Sequence, residues 1–165
     1  MQKLVILRGN SGSGKSTVAK RLRKKMGYET MLIPQDVVRR EMLRVRDAPD
    51  NPAVQLLYDL AMYGKKLGFD VVIEGILGKD KYGEMLERLI EDFGGDTHVF
   101  YFDISFDETL RRHSTKPNKD EYGEKELREW WAEKDYLGTP NETYIDDYMS
   151  EDEIVDFMYA NIDEE

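Results

Sequence analysis

Cysteine is absent from the 165-residue chain, so the fold rests on no disulfide framework and offers no thiolate metal site. Histidine is nearly absent: His98 and His113 are the only two. They lie too far apart in sequence, with too few partners, to make a metal centre, and both read as structural. No apolar run reaches the ~20 residues of a membrane-spanning helix, and no secretory leader is found, so the expectation is a cytoplasmic protein without membrane contact. Internal repeats and low-complexity tracts are also missing. With 40% apolar residues, a chain of this length supports one core and a single domain over residues 1–165.

An excess of basic charge is lacking too. The formal net charge is −10, but it is unevenly spread. Ten of the 34 acids fall in residues 142–165, which hold no Lys or Arg, leaving 24 acids against 24 bases in the rest. The body is therefore neutral, and the acidity is a C-terminal feature that reads as a solvated face. Charge alone does not exclude nucleic acid.

What is present begins with LRGNSGSGKSTVAKRL, Leu7 to Leu22. Gly9, Asn10, Ser11, Gly12, Ser13, Gly14, Lys15 and Ser16 match G-x-x-x-x-G-K-[ST] in full, with Thr17 next, which is the phosphate-binding loop pattern. Before it, Lys3–Arg8 is an apolar run of strand length. After it, Val18, Leu22 and Met26 recur on one helix face. A flexible Gly/Ser turn would share the composition but not this strand-loop-helix order. Glycines let successive N–H groups turn inward as an anion nest, and the helix N-terminus adds partial positive charge. Lys15 reaches the β- and γ-phosphates as a point charge, and the Ser16 hydroxyl is a hard oxygen ligand suited to Mg²⁺. A nucleoside triphosphate is the implied ligand.

Further strands are expected at Glu29–Pro34, Asp70–Glu74, Thr97–Asp103 and Glu142–Ile145, alternating with helices. Val38, Met42 and Val45 mark one helix face, and another helix runs from about Ala53 to Leu67. Ser105-Phe-Asp-Glu108 and Ser150-Glu-Asp-Glu153 have capping-box spacing. This alternation predicts a parallel, doubly wound sheet, whose ligands sit beyond the carboxyl ends of the strands. Asp36 falls there with Arg39 three residues on, where a carboxylate can take the proton of an attacking hydroxyl while the arginine orients it or holds the acceptor's anion. Capping of the next helix by Asp36 is the competing reading. Trp130 and Trp131 read as core aromatics.

The stretches GNSGSGKST, QDVVRR, VVIEG and RRHSTKPNKDEYGEKELREWW, in this order, resemble the small P-loop kinases that include zeta-toxin-like kinases, antibiotic phosphotransferases and the kinase domain of polynucleotide kinase. The resemblance implies a three-layer α/β/α P-loop NTPase fold with a five-stranded parallel sheet and a helical lid. It further implies ATP as donor and a hydroxyl-bearing acceptor bound between about residues 36 and 74. On this likeness Asp36 is the general base and Arg39 its partner. Glu74 acts on Mg²⁺ or on the acceptor, although the group more often has Asp there. Arg112, Lys116 and Arg128 are the lid cations, within a lid of about residues 114–128. Lys116 stands where arginine is common, so a fork becomes a point charge. Arg111 reads as a surface residue.

The expected acceptor is a small molecule, neutral or anionic, handled by a monomer or homodimer. A polynucleotide 5′-hydroxyl kinase is the nearest alternative, but a strand-tracking groove needs more bases and aromatics than follow Asp36. A nucleotide-hydrolysing switch is the alternative of another class. Its guanine-reading loop would need Asn/Thr-Lys-x-Asp, and Asn118-Lys-Asp-Glu121 ends in Glu within the lid.

Overall fold

The computed structural model describes residues 1–117 and 119–164. Asn118, inside the lid expected from the sequence, and the terminal Glu165 lie outside the described residues. Five strands, β1 (Leu4–Gly9), β2 (Thr30–Pro34), β3 (Asp70–Gly75), β4 (Thr97–Phe102) and β5 (Glu142–Ile145), form one sheet in the order β2-β3-β1-β4-β5. All four pairings are parallel. From β1 the chain passes to the edge strand β2 and returns to β3 beside β1, then crosses to β4 and β5 on the other side. The loop after β1 therefore sits where the winding reverses, the usual ligand crevice of such sheets.

The central strand explains the three layers. Leu4 and Ile6 of β1 point to one face, where α2 (Pro52–Lys66) and α3 (Lys79–Phe93) supply Leu57, Ala61, Leu86 and Leu89. Val5 and Leu7 point to the other, where α1 (Lys15–Met26) and α6 (Glu151–Asp163) supply Val18, Leu22, Ile154 and Met158. An apolar run with no polar alternation is what a strand buried on both faces requires. Two short helices, α4 (Phe106–Ser114) and α5 (Glu124–Glu129), stand beyond the sheet's carboxyl edge.

The helix after Asp36 departs from expectation. Val37–Leu43 winds as a π-helix, so residues five apart, not four, return to the same side. Val38 is buried and Leu43 packs on the same core, while Met42 is exposed. The two capping motifs also diverge. Ser150 and Glu153 form the reciprocal box at α6. At α4, Ser105 accepts from Glu108 N at 3.2 Å, but the Glu108 carboxylate turns to Arg111 and Arg112, and the Ser105 N–H donates to Asp147 instead. Trp130 and Trp131 are outside both cores: α5 ends before them, Trp130 is exposed, and Trp131 packs edge-on against Phe106. The acidic C-terminal helix is partly paired, with Glu151 and Asp152 on Arg21 and Asp156 on Lys25.

Arg8, hidden in the first apolar run, is fully buried at the end of β1. Its Nε and Nη2 donate to the Leu77 carbonyl at 3.1 and 2.9 Å, Nη1 to the Asp135 carbonyl at 2.7 Å, and Nη2 also to the Asp135 carboxylate at 2.8 Å. Glu142 of β5 lies 3.8 Å away. Removing one member of a buried pair strands the others without water. Arg8→Met is therefore expected to cost about 3–5 kcal/mol, read as a lower midpoint of urea unfolding.

Candidate functional site

The loop between β1 and α1 is shaped by what its glycines exclude. A Cβ on Gly9 would lie 2.9 Å from the Phe102 Cβ, and one on Gly12, at φ +81°, would lie 3.0 Å from Thr109 Cγ2. The loop is therefore pressed against β4 and α4, with its amides left to face the crevice. Gly14 stands at the N-cap of α1 in a left-handed conformation and offers no side-chain cap. The first-turn N–H groups thus keep their partial charge for an anion.

Other loop side chains tie it to the chain beyond the lid. Asn10 makes a reciprocal pair with Ala132, Nδ2 donating to its carbonyl and Oδ1 accepting from its N–H, both at 2.8 Å. The Ser11 hydroxyl lies 3.5 Å from that of Tyr122.

Lys15 is buried, its Nζ donating to the Asn10 carbonyl at 2.7 Å and the Ser13 hydroxyl at 3.3 Å. Burial lowers its pKa to about 8; nearby Lys116 adds to this, while Glu74 and Asp36 oppose it. Ser16 and Thr17 are exposed on the first turn of α1. The Ser16 hydroxyl donates to Glu74 Oε1 at 3.1 Å. Glu74, at the end of β3, is buried, which raises its pKa, and Lys15 and the Ser16 bond work against that rise. A hydroxyl and a carboxylate meeting beside the loop are two hard oxygens, a donor set that fits Mg²⁺.

Asp36 follows β2 and makes no capping hydrogen bond, its backbone already helical. The capping reading therefore falls. Its carboxylate is exposed and lies 3.5 Å from Arg39 Nη2 and 3.4 Å from Arg40 Nη1. Arg39 is mostly buried, Nη1 donating to the Val45 carbonyl at 3.1 Å, with Nε unpartnered among the described residues. Arg44 and Arg46, which continue the basic run, are exposed.

The expected lid cations part company. Arg112 reaches the loop, Nη1 donating to the Ser13 carbonyl at 2.7 Å and Nε to Glu108 at 3.0 Å. Lys116 is half-buried near Lys15; its own pKa is lowered, chiefly by burial, while Glu74 opposes and Arg112 reinforces the shift. Arg128 is not with them: it bonds Glu124 at 2.8 Å and lies over the Phe106 ring at 4.3 Å. Glu124, four residues back on α5, satisfies it locally. Arg111 is an exposed partner of Glu108, as expected. His113 is structural, its Nε2 donating to the carbonyls of Tyr122 and Lys119 at 2.7 and 3.2 Å. His98 pairs with Asp96.

A cavity of about 580 Å³ opens beside the first turn of α1, between Thr17, Arg112 and Thr115 on one side and Asp147, Met149 and Ile154 on the other. The sequence reading missed its second wall, the turn between β5 and α6. That segment carries a helix-capping box but no ligand motif; its one signal for a site is that it follows a strand's carboxyl end.

The family match covers residues 4–140. The chain belongs to the AAA domain family. Its fold is also that of solved kinases. The APS kinase of Mycobacterium tuberculosis, in complex with AMPPNP and APS, aligns with a TM-score of 0.72 at 20% identity over 99% of this chain and 98% of that one. A gluconokinase from Sinorhizobium meliloti aligns at 0.65 and 19% over 97% and 91%. The tunicamycin resistance protein of Deinococcus radiodurans aligns at 0.65 and 15% over 99% and 96%. At these identities the likeness establishes the fold. No curated protein matches the sequence. Among the described residues no helix is long and apolar enough to cross a membrane.

Burying Lys15 adds little to stability, because its desolvation offsets its two hydrogen bonds. Lys15→Ala is expected to leave the unfolding free energy, from urea titration, within about 1 kcal/mol of wild type. In calorimetry the same variant should bind ATP at least about tenfold more weakly.

Proposed function

We propose that the protein is an ATP-dependent phosphotransferase that moves the γ-phosphoryl group to a hydroxyl of a small-molecule acceptor. The observation that carries this reading is a convergence at Lys15. Glu74 from β3, Asp36 from the end of β2 and Lys116 from the chain after α4 all lie close enough to bear on its charge. A pure binding loop needs only the nest and the lysine. An acid from β2 and a cation from beyond the sheet edge are what a transfer between two substrates adds.

In this reading the phosphates lie along the loop amides and the uncapped start of α1, with Lys15 on the β- and γ-oxygens. The nucleoside fills the cavity of about 580 Å³. Ser16 and Glu74 would hold Mg²⁺, which when bound neutralises charge on the phosphates. Asp36 accepts the acceptor's hydroxyl proton as that oxygen attacks the γ-phosphorus; the bond to the β–γ bridging oxygen breaks, and ADP leaves. Arg39 fixes the orientation of Asp36. Arg112 and Lys116 stabilise the charge that spreads over the transferring group. Arg128 joins them only by leaving Phe106 and Glu124, as closure of the segment around residues 114–128 would require. Two fold neighbours bear the names of small-molecule kinases, a gluconokinase and an APS kinase, which supports a small acceptor here.

Release of ADP with hydroxyl compounds, nucleotides and oligonucleotides in turn tests the reading. The expected result is stimulation by a small hydroxyl compound far above hydrolysis alone. Stimulation by oligonucleotide 5′ ends alone would replace the acceptor class, and hydrolysis that no acceptor stimulates would replace transfer with a nucleotide switch. Asp36→Asn is expected to retain ATP affinity, lower the transfer rate by roughly 10²–10⁴, and leave thermal stability unchanged, since Asp36 caps nothing.

A further inference from the structure

Beyond Asp36, the wall of the crevice holds a second cation that the transfer chemistry above does not use. Lys81, in the first turn of α3, lies 3.4 Å from Asp47 Oδ2, and Arg39 Nε lies 3.8 Å from Asp47 Oδ1. One carboxylate thus stands between two cations, and neither contact has the short geometry of a strong charge-assisted hydrogen bond. Arg39 Nε is buried and has no hydrogen-bond partner among the described residues.

The position of Asp47 is set from beneath. Buried Tyr82 donates its hydroxyl to Asp47 Oδ1 at 2.6 Å and accepts from Gln35 Nε2 at 2.9 Å and Asn51 Nδ2 at 3.2 Å. That hydroxyl has no capacity left, so Asp47 cannot turn away to meet either cation more closely without breaking a saturated network. Arg39 also contacts Asp36, which joins this cluster directly to the proposed base.

We propose that the acceptor carries an anionic group, a carboxylate or a phosphate, and that Lys81 and Arg39 receive it together on the frame formed by Asp47 and Tyr82. The inference rests on the phosphotransferase reading and names its substrate class. Three cations, Arg39, Arg40 and Lys81, face two carboxylates, Asp36 and Asp47, and leave one positive charge uncompensated. An anion held between half-buried Lys81 and mostly buried Arg39 completes the set. Lys81 and Arg39 thereby become specificity residues, with Asp47 and Tyr82 holding them apart.

The test is calorimetry in the presence of AMPPNP and Mg²⁺, with sorbitol, gluconate and sorbitol 6-phosphate as matched neutral, carboxylate and phosphate probes. At least one anionic probe is expected to bind about tenfold or more tightly than sorbitol. Lys81→Ala should erase that preference while binding sorbitol as wild type does, and Lys81→Arg should retain it. Comparing gluconate with the phosphate distinguishes the two anions. Equal binding of all three probes, no binding of either anion, or a preference that survives Lys81→Ala would overturn the proposal. Anion binding without ADP release would uphold this site and count against phosphotransfer. Release of ADP as fast with sorbitol as with the anions would do the reverse.

Discussion

The arrangement depends on one buried cation at the end of the central strand. Arg8 has no water to solvate it, so the chain around it must bring oxygen to it, and the oxygens come from segments far apart in sequence: Leu77 after β3 and Asp135 on the way to β5. Leu77 has φ +44°, a strained conformation for a branched side chain, and its carbonyl takes two of the guanidinium's bonds, so the same contact that satisfies the cation holds the strain in place. Both ends of the crevice are thereby set from one side chain. The turn that follows Glu74 is fixed on one flank, and the chain that returns from α5 is fixed on the other.

The phosphate-binding loop inherits its position from this clasp. Ala132, three residues before Asp135, is the partner of Asn10, so the root of the loop and the return from the lid form one body. Further out the ties thin: Arg112 to Ser13 and the long Ser11 to Tyr122 approach are half-buried contacts. A gradient of this kind, firm at the sheet edge and loose beyond it, allows a cationic segment to move over a loop without disturbing it.

Sequence made legible what depends on local spacing. The loop, the alternation of strands and helices and the position of Asp36 each follow from residues within one strand-turn-helix unit. Arg8 was not legible, because one arginine at the end of an apolar run reads as the strand's exit into water; only the folded chain shows the carbonyls that wait for it. Arg128 matched a lid position by likeness, but its side chain answers to Glu124 and Phe106, and such choices are made by neighbours that spacing does not reveal. The wall from Asp147 to Ile154 carries a helix-capping pattern but none for a ligand, since lining a cavity demands shape more than residue type. The tryptophans were misjudged because a helix that ends at Glu129 leaves them on a turn, where no helical face exists to bury them.

The π-helical segment shows how a local irregularity builds the acceptor side. In an α-helix the carbonyl of Arg39 would receive the N–H of Leu43; here the wider turn passes it to Arg44, whose left-handed backbone then turns the chain, and Val45 N donates to the same carbonyl at 3.1 Å. The chain is thus folded back on Arg39, whose side chain in turn binds the Val45 carbonyl. Two residues later the chain delivers Asp47 to Arg39, Lys81 and Tyr82. With the tighter winding the end of the segment would leave in another direction, and the carboxylate that stands between the two cations would not reach them. π-Turns are rare and are found frequently at functional sites. In this chain the turn joins the proposed base to the charged wall behind it, so that Asp36 and Asp47 both lie against a single arginine.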